Sequence, residues 1–490
     1  MTSLGPAVNG YETVVGLECH VELSTRTKMF CGCINVFGGE PNTRTCEVCL
    51  GHPGTLPVPN REAIEYTLKI ALALGTNIAS RSLFHRKNYF YPDMPKNYQI
   101  SQYDLPISMG GRLDIEVDGD IRAVRMTRVH LEEDTGKTVH AGTTGRIAEA
   151  EYALEDYIRA GVPLVEVVSE PDIRSPEEAR AYLLELKALL EALGVSDVRM
   201  EEGSLRCDAN VSVRPMGHPE YGVKVEIKNM NSIRSVERAV RHEAERQRRA
   251  LERGETLVQE TRHWDENEGV TRPLRSKEYA FDYRYFPEPD LSPVEPDDEW
   301  IEKLRAALPE LPAARRRRFV EDYGLEPAQA RIVTQSEAWA RFLEETASLG
   351  ADPRAAANWM VGDLSALLHE RSQGLADGGV TPQHIADIVR LVSEGTISTA
   401  GAKQVLAEAF DTGKAAGEIV KEKGLAQISD ESALGGIVDE VITENPGPVE
   451  QFRGGKEGVI GFLVGQVMKK TKGAANPQEA QRLLRERLSG

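Results

Sequence analysis

Four stretches of the chain set carboxylates inside or beside strand-forming runs: GLECHVEL (Gly16–Leu23), HLEEDTGK (His130–Lys137), PLVEVVSEPD (Pro163–Asp172) and MEEGSLRCDANVSVRP (Met200–Pro215). Strands rich in Val and Ile normally bury, and a buried carboxylate is costly unless it is paired or binds a cation. The pattern therefore predicts strands that gather as the walls of one magnesium–nucleotide site. In an extended GLECHVEL, Glu18 and His20 point to one face, and Leu17, Cys19 and Val21 to the other. Such a pair suits a cation or a metal-bound phosphate; a Glu–His pair hydrogen-bonded at a sheet edge is the other reading of the same spacing. Glu133, Glu166 and Asp208 stand in similar settings. Several ionised carboxylates share one pocket only around a cation. Oxygen ligands with a single imidazole fit Mg2+ on ATP phosphates better than a catalytic zinc.

A chain of 490 residues is too long for one core, which predicts two or three domains. From Thr13 to Pro293 strands and helices mix without a βαβ rhythm, the mark of an α+β fold with a mixed or antiparallel sheet. Asn60 caps a helix running to Leu74, Ser175-Pro176-Glu177-Glu178 opens one closed by Gly194, and a third spans Val236–Arg253. LDIEVDG (Leu113–Gly119) signals a hairpin at Asp118–Gly119, and VKVEIKN (Val223–Asn229) alternates like a strand. The proline- and acid-rich Phe286–Trp300 reads as a linker. Beyond it come helices over Glu302–Leu308, Ala313–Tyr323, Pro327–Thr334 and Glu337–Ser348. The expected division is a catalytic domain over 1–297, a helical domain over 298–412 and a helical tail over 413–490.

Net charge of −18 argues against non-specific nucleic-acid binding by the whole chain. Between Arg453 and Gly490, however, eight Lys/Arg face three Glu. That excess suits a phosphate-binding appendage, or simply a solvated helix end. Cys31-x-Cys33 and Cys46-x2-Cys49 have the spacing of a tetrahedral thiolate zinc site with no open position, hence a structural one; incidental buried cysteines are the other reading. No apolar run reaches the ~18 residues of a membrane span, and no secretory segment is read at the N-terminus, so a cytoplasmic protein is expected. Gly136-Lys137-Thr138 is not a P-loop, because Leu131 occupies the position of the first glycine. RKNYFYPDMPKNYQISQYD (Arg86–Asp104) interleaves aromatics with Arg86, Lys87 and Lys96. It suits a nucleotide or tRNA end as well as an ordered surface loop.

Together with EIKNMNSIRSV, DYRYFPEPDL and GFLVGQVMKKTKGAANP, these motifs resemble those of the B subunit of the tRNA-dependent amidotransferase, over nearly the whole chain. One local departure is Cys19, where the family usually has an aliphatic residue. The resemblance implies a cradle-shaped α+β catalytic domain followed by a helical domain and a tRNA-gripping tail. It implies a heterotrimer with an amidase A subunit, which releases ammonia from glutamine, and a small C subunit. The B subunit would use Mg-ATP to phosphorylate the side chain of Glu-tRNA(Gln) or Asp-tRNA(Asn) before amidation. By motif match Glu18, His20, Glu133, Glu166 and Asp208 would hold magnesium. Glu133, Glu166 and Lys87 would act in catalysis, and Lys87 and Asn88 would bind ATP or the acyl end. Cys31, Cys33, Cys46 and Cys49 would hold zinc, and Lys469, Lys470 and Lys472 would contact tRNA. The related archaeal glutamine-only enzyme carries an inserted domain for which this chain has no room. A non-catalytic zinc-containing tRNA scaffold and a ligase acting on a small acid are the competing readings.

Overall fold

The computed structural model describes residues 10–141, 151–276, 280–427, 431–471 and 474–489. Two compact units divide the chain, Met1–Pro312 and Ala313–Gly490.

The first unit is built on β1 (Tyr11–Glu22), whose odd and even residues have opposite fates from Leu17 onward. Leu17, Cys19 and Val21 are wholly buried, while Glu18, His20 and Glu22 face away from the core. Helix α1 (Arg61–Ala73) follows, with Asn60 accepting hydrogen bonds from the backbone N–H of Glu62 and Ala63, as its cap signal predicts. Then come β2 (Asn77–Ile78), β3 (His85–Asn88), β4 (Tyr98–Ser101), β5 (Ser108–Met109), β6 (Arg112–Val117) and β7 (Asp120–Glu133). The β6–β7 hairpin turns at Asp118 (φ 53°) and Gly119 (φ 86°), the left-handed pair that the Asp-Gly signal calls for. Next are β8 (Lys137–Ala141), β9 (Tyr152–Asp156), β10 (Pro163–Ser169) and α2 (Pro176–Leu193), which Ser175 caps and Gly194 ends at φ 65°. The unit continues with β11 (Leu205–Pro215), β12 (Val225–Lys228), α3 (Ile233–Glu252), β13 (Glu260–Asp265), β14 (Val270–Ser276), β15 (Phe286–Pro287) and α4 (Asp298–Ala306). Helix α3 starts three residues before the expected Val236, because Ser232 supplies the cap.

The main sheet runs β14-β13-β12-β11-β1-β10-β7-β5-β2, with β6 on β7. Its pairings are antiparallel except β12 with β13, so the sheet is mixed and the fold is α+β. Helices α1, α2 and α3 supply the apolar side chains that cover one face of the sheet. Each fully buried Leu, Ile or Val there contributes on the order of 1.5–3 kcal/mol.

Residues 286–300 do not form a free linker. Phe286–Pro287 pairs with β3, Val294 bridges Ser82, and Leu291, Val294 and Trp300 join the first core. The acids that gave the segment a linker's composition are used against arginines: Glu288 and Asp290 on Arg86, and Glu295 on Arg81. Asp297 caps α4, so that helix begins at Asp298 rather than Glu302. The first core thus takes in Leu304, Leu308 and Leu311, beyond the expected boundary at 297.

The second unit is helical throughout its described residues apart from short connections, with Pro327–Thr334 and Glu337–Ser348 at the expected bounds. It holds two apolar cores. One spans Phe319 to Val420 and includes Ala416 and Ile419, past the expected boundary at 413; the other spans Leu434 to Leu488.

Candidate functional site

The face of the main sheet opposite the helices carries polar side chains in transverse rows, fixed by strand register. Asp208 (β11), Glu18 (β1), Val168 (β10) and Arg128 (β7) form one row. Arg206, His20, Glu166 and His130 form the next, on the same strands. Glu22, Leu164 and Glu132 form the third. Directly opposed residues of antiparallel strands project to the same side, so the pairing itself gathers these groups.

His20, Glu132 and Glu166 each bring one ligand atom within 4.8 Å of the others'. His20 Nε2 is 3.9 Å from Glu166 Oε2. His130, 2% exposed, stands behind them with Nε2 3.0 Å from Glu166 Oε2 and 3.6 Å from Glu132 Oε2. Ser101 Oγ donates to Glu132 Oε2 at 2.9 Å. Burial opposes a charged imidazole at His130, yet Glu166 and Glu132 outweigh it and raise the pKa to about 9. Burial likewise opposes the charges of Glu166 and Glu132, and His130 overcomes it, holding both carboxyls below their ordinary value. Two carboxylates and an imidazole within reach of one point make a donor set for a hard divalent cation, so the residues present fit magnesium.

Not every expected ligand joins this trio. Glu18 accepts from Asn210 Nδ2 at 2.8 Å, and its cross-strand partner Asp208 pairs with Lys228 Nζ at 2.9 Å. Both lie on the polar face, one row away. Glu133 lies on the other face. With Leu131 it takes the odd parity of β7, where its carboxylate pairs with Lys96 Nζ and accepts the Ile100 N–H at 2.9 Å. It borders a second cavity of about 260 Å³ with Cys31, Cys49 and Gly161. The structure thus brings Glu132, not its neighbour Glu133, together with His20 and Glu166. The alternation that marks it was present in the sequence: Val129 and Leu131 apolar, Arg128, His130 and Glu132 polar.

Lys87 faces the trio electrostatically, lowering both Glu132 and Glu166, and its Nζ lies 4.9 Å from the ring centroid of Tyr283. Asn88 instead ties two segments together, donating to the carbonyls of Tyr283 and Arg284 at 3.2 and 2.9 Å. The aromatic loop and DYRYFPEPD thus form one unit, sealed by the bidentate Arg86–Glu288 pair and by Tyr103 stacked on Tyr285 at 4.5 Å. Gly136-Lys137-Thr138 leads into strand β8 rather than a helix, as expected of a sequence that is not a P-loop.

Beside the trio opens a cleft of about 730 Å³, lined by Glu22, Arg159, Arg206, Asp208, Lys137 and Asn229 among others. Asp134, buried beneath it, accepts from Arg206 Nη2 at 2.7 Å and pairs with Arg159 at 3.4 Å. Burial works against its charge, but Arg206 and Arg159 hold its carboxyl well below the usual range. Burial and the neighbouring Asp134 push Glu22 the other way, up to about 8.

The sulfur atoms of Cys31, Cys33, Cys46 and Cys49 also lie within 4.8 Å of one another. Cys46 N–H donates to Cys49 Sγ at 3.1 Å, and the buried Lys28 Nζ stands 3.8 Å from the same sulfur. The hydrogen bond from Cys31, foremost, lowers Cys49 to about 5 against the effect of burial. Four convergent sulfurs in an electropositive setting fit a tetrahedral zinc.

In the tail, Lys469 is exposed, whereas Lys470 is spent on Glu440 and Glu444 at 2.8 and 2.7 Å. Lys472 lies outside the described residues. Arg482 and Arg487 are likewise paired, with Glu479 and Asp439.

A sheet face of this kind, in a chain that continues into an all-helical unit, has known relatives. Residues 13–302 match the family described as the GatB/GatE catalytic domain, and residues 341–488 the family described as the GatB domain. The chain belongs to the GatB family. It is 53% identical over 479 residues to the B subunit of the aspartyl/glutamyl-tRNA(Asn/Gln) amidotransferase of Carboxydothermus hydrogenoformans, spanning 98% of this chain and 99% of the relative. To the protein of the same name from Moorella thermoacetica it is 55% identical over 478 residues, 98% of this chain and all of the relative.

Proposed function

We propose that the chain is the B subunit of a tRNA-dependent amidotransferase, an ATP-dependent ligase that amidates Glu-tRNA(Gln), Asp-tRNA(Asn) or both. The observation that carries this reading is the convergence of His20, Glu132 and Glu166 on the polar face of the unit that matches the GatB/GatE catalytic domain. These three residues would hold magnesium, with Glu18 and Asp208 one row away to receive a second ion or ordered water. Magnesium, when bound, neutralises phosphate charge and aligns the terminal phosphate of ATP.

Within that frame the side-chain carboxylate of the aminoacyl-tRNA attacks the γ-phosphorus of ATP. The bond from phosphorus to the β,γ-bridging oxygen breaks, and ADP leaves. Ammonia, released from glutamine by the amidase A subunit, then attacks the acyl carbon. The carbon–oxygen bond to phosphate breaks, and the departing phosphate takes up the proton that the nitrogen loses. Lys87 lies near enough to both trio carboxylates to steer an anionic substrate toward them, and His130 keeps them ionised and oriented. Phosphoryl transfer asks a protein for charge placement more than for covalent chemistry, which a polar sheet face supplies.

Zinc on the four cysteines would have no open position and would be structural. We assign catalysis to the unit ending at Pro312 and tRNA-body contact to the last helical core, with Lys469 the exposed candidate. A small C subunit completes the complex, which would work in the cytoplasm. Among the described residues no helix is long and apolar enough to cross a membrane. The test is ATP hydrolysis by the chain co-expressed with its A and C partners, given glutamine and magnesium, with and without mischarged tRNA. Turnover that requires the acyl-tRNA and yields its amide is expected; tight tRNA binding without turnover would leave a scaffold.

A further inference from the structure

Most half-buried arginines of the first unit are matched by carboxylates. Arg86 is held by Glu288, Arg174 and Arg214 by Glu12, and Arg206 by Asp134. Arg128 differs. It is half-buried on β7, its Nε is shielded from solvent and lacks a partner, and its side chain makes no hydrogen bond or ion pair among the described residues. A guanidinium is always charged and carries five N–H donors, so leaving one unmatched beside a cluster of acids is costly unless an anion arrives.

Its position says where that anion would sit. Arg128 opposes Val168, which opposes Glu18, which opposes Asp208. Adjacent strands are about 4.8 Å apart, so Arg128 and Glu18 stand roughly 10 Å from each other across the short apolar Val168. Glu166, His20 and His130 form the row alongside. The space above Val168 is therefore bounded by a cation on one side, a carboxylate on the other and the metal-ligand trio along its edge. Tyr285, stacked on Tyr103, lies in the field of Arg128 and of both Glu132 and Glu166, which places an aromatic wall beside it.

We propose that Arg128 is a catalytic residue that receives the anionic oxygens of the phosphoryl group during its transfer from ATP to the aminoacyl carboxylate. The proposal rests on the kinase reading above. As the carboxylate oxygen–phosphorus bond forms and the bond to the bridging oxygen breaks, its electron pair leaves with ADP and no proton moves. Negative charge spreads over the three equatorial oxygens, which the guanidinium fork meets with two parallel N–H bonds. After ammonia attacks the acyl carbon, the same contact follows the departing phosphate.

The test uses the assembled complex with Arg128→Met, Arg128→Lys and Arg128→Ala. Arg128 breaks no ion pair when replaced, so thermal unfolding should match the wild type or occur at a higher temperature. Arg128→Met should lower acyl-tRNA-dependent ATP turnover by about a hundred- to a thousandfold, mainly in kcat. Mn2+ affinity, read by electron paramagnetic resonance, should stay at the wild-type value. Arg128→Lys should recover part of the rate, and methylguanidine should restore part of it to Arg128→Ala. Wild-type turnover in Arg128→Met would overturn the proposal while leaving the kinase reading intact. A parallel loss of turnover and Mn2+ affinity would also overturn it, because Arg128 would then be shaping the metal ligands. A wild-type complex that binds Mn2+ but lacks acyl-tRNA-dependent turnover would overturn the kinase reading and the proposal with it.

Discussion

Glu132 and Glu133 are neighbours in the chain and do different work, because consecutive strand residues project to opposite faces. Glu132 joins His20 and Glu166; Glu133 pairs with Lys96, whose side chain is 7% exposed. Replacing Glu133 by Ala strands a buried ammonium and should cost about 3–5 kcal/mol, read as a lower denaturation midpoint. Glu133→Gln, which keeps an acceptor for the Ile100 N–H, should cost less. Glu22 supplies a pH signature. Its carboxyl is raised to about 8 in the fold, by burial and by Asp134, against an ordinary value of 4.5. Its contribution to stability is complete below the ordinary value and is lost as pH rises toward 8. Asp134 is depressed, so its own contribution is lost only under acid conditions. Glu22→Gln should therefore flatten the fall in melting temperature between about pH 4.5 and 8; parallel curves for the two proteins would contradict this. The even parity of Glu18 and His20 was legible from alternation alone. The β7 alternation likewise marks the face of Glu133, but not its partners, since Lys96 and the Ile100 N–H reach it from β4 and the turn before it.

Local signals specified the elements they touch. Asn60 and Ser175 cap helices where a short polar residue precedes an apolar stripe, and Asp118–Gly119 turns the hairpin. Ser175→Ala removes the acceptor for the Glu178 N–H and should lower stability by about 1 kcal/mol, measurable by denaturant titration. Composition failed over Phe286–Trp300. Prolines and acids describe a free linker and a packed strap equally well. What separates them is Arg86 and Arg81, some two hundred residues earlier in the chain. Pairing at that range lies beyond any local pattern, and so does the parallel registry of β12 with β13.

At the scale of the molecule the net charge of −18 coexists with a basic tail in which Lys470, Arg482 and Arg487 are engaged at home. Lys469→Ala should therefore weaken tRNA binding and reduce its salt slope by about 1, whereas Lys470→Ala, spent on Glu440 and Glu444, should change it less. The four cysteines should carry one zinc per chain by atomic emission, and Cys33→Ser or strong chelation should lower both zinc content and melting temperature. On the proposed reading, the polar sheet face binds a divalent cation through His20, Glu132 and Glu166, whose ligand atoms converge. Mn2+ titration of the assembled complex by electron paramagnetic resonance tests it most directly, comparing the wild type with Glu132→Ala and Glu133→Gln. A wild-type site weakened by about 10- to 100-fold in Glu132→Ala and unchanged in Glu133→Gln is expected. Equal affinity in wild type and Glu132→Ala, or loss confined to Glu133→Gln, would contradict it.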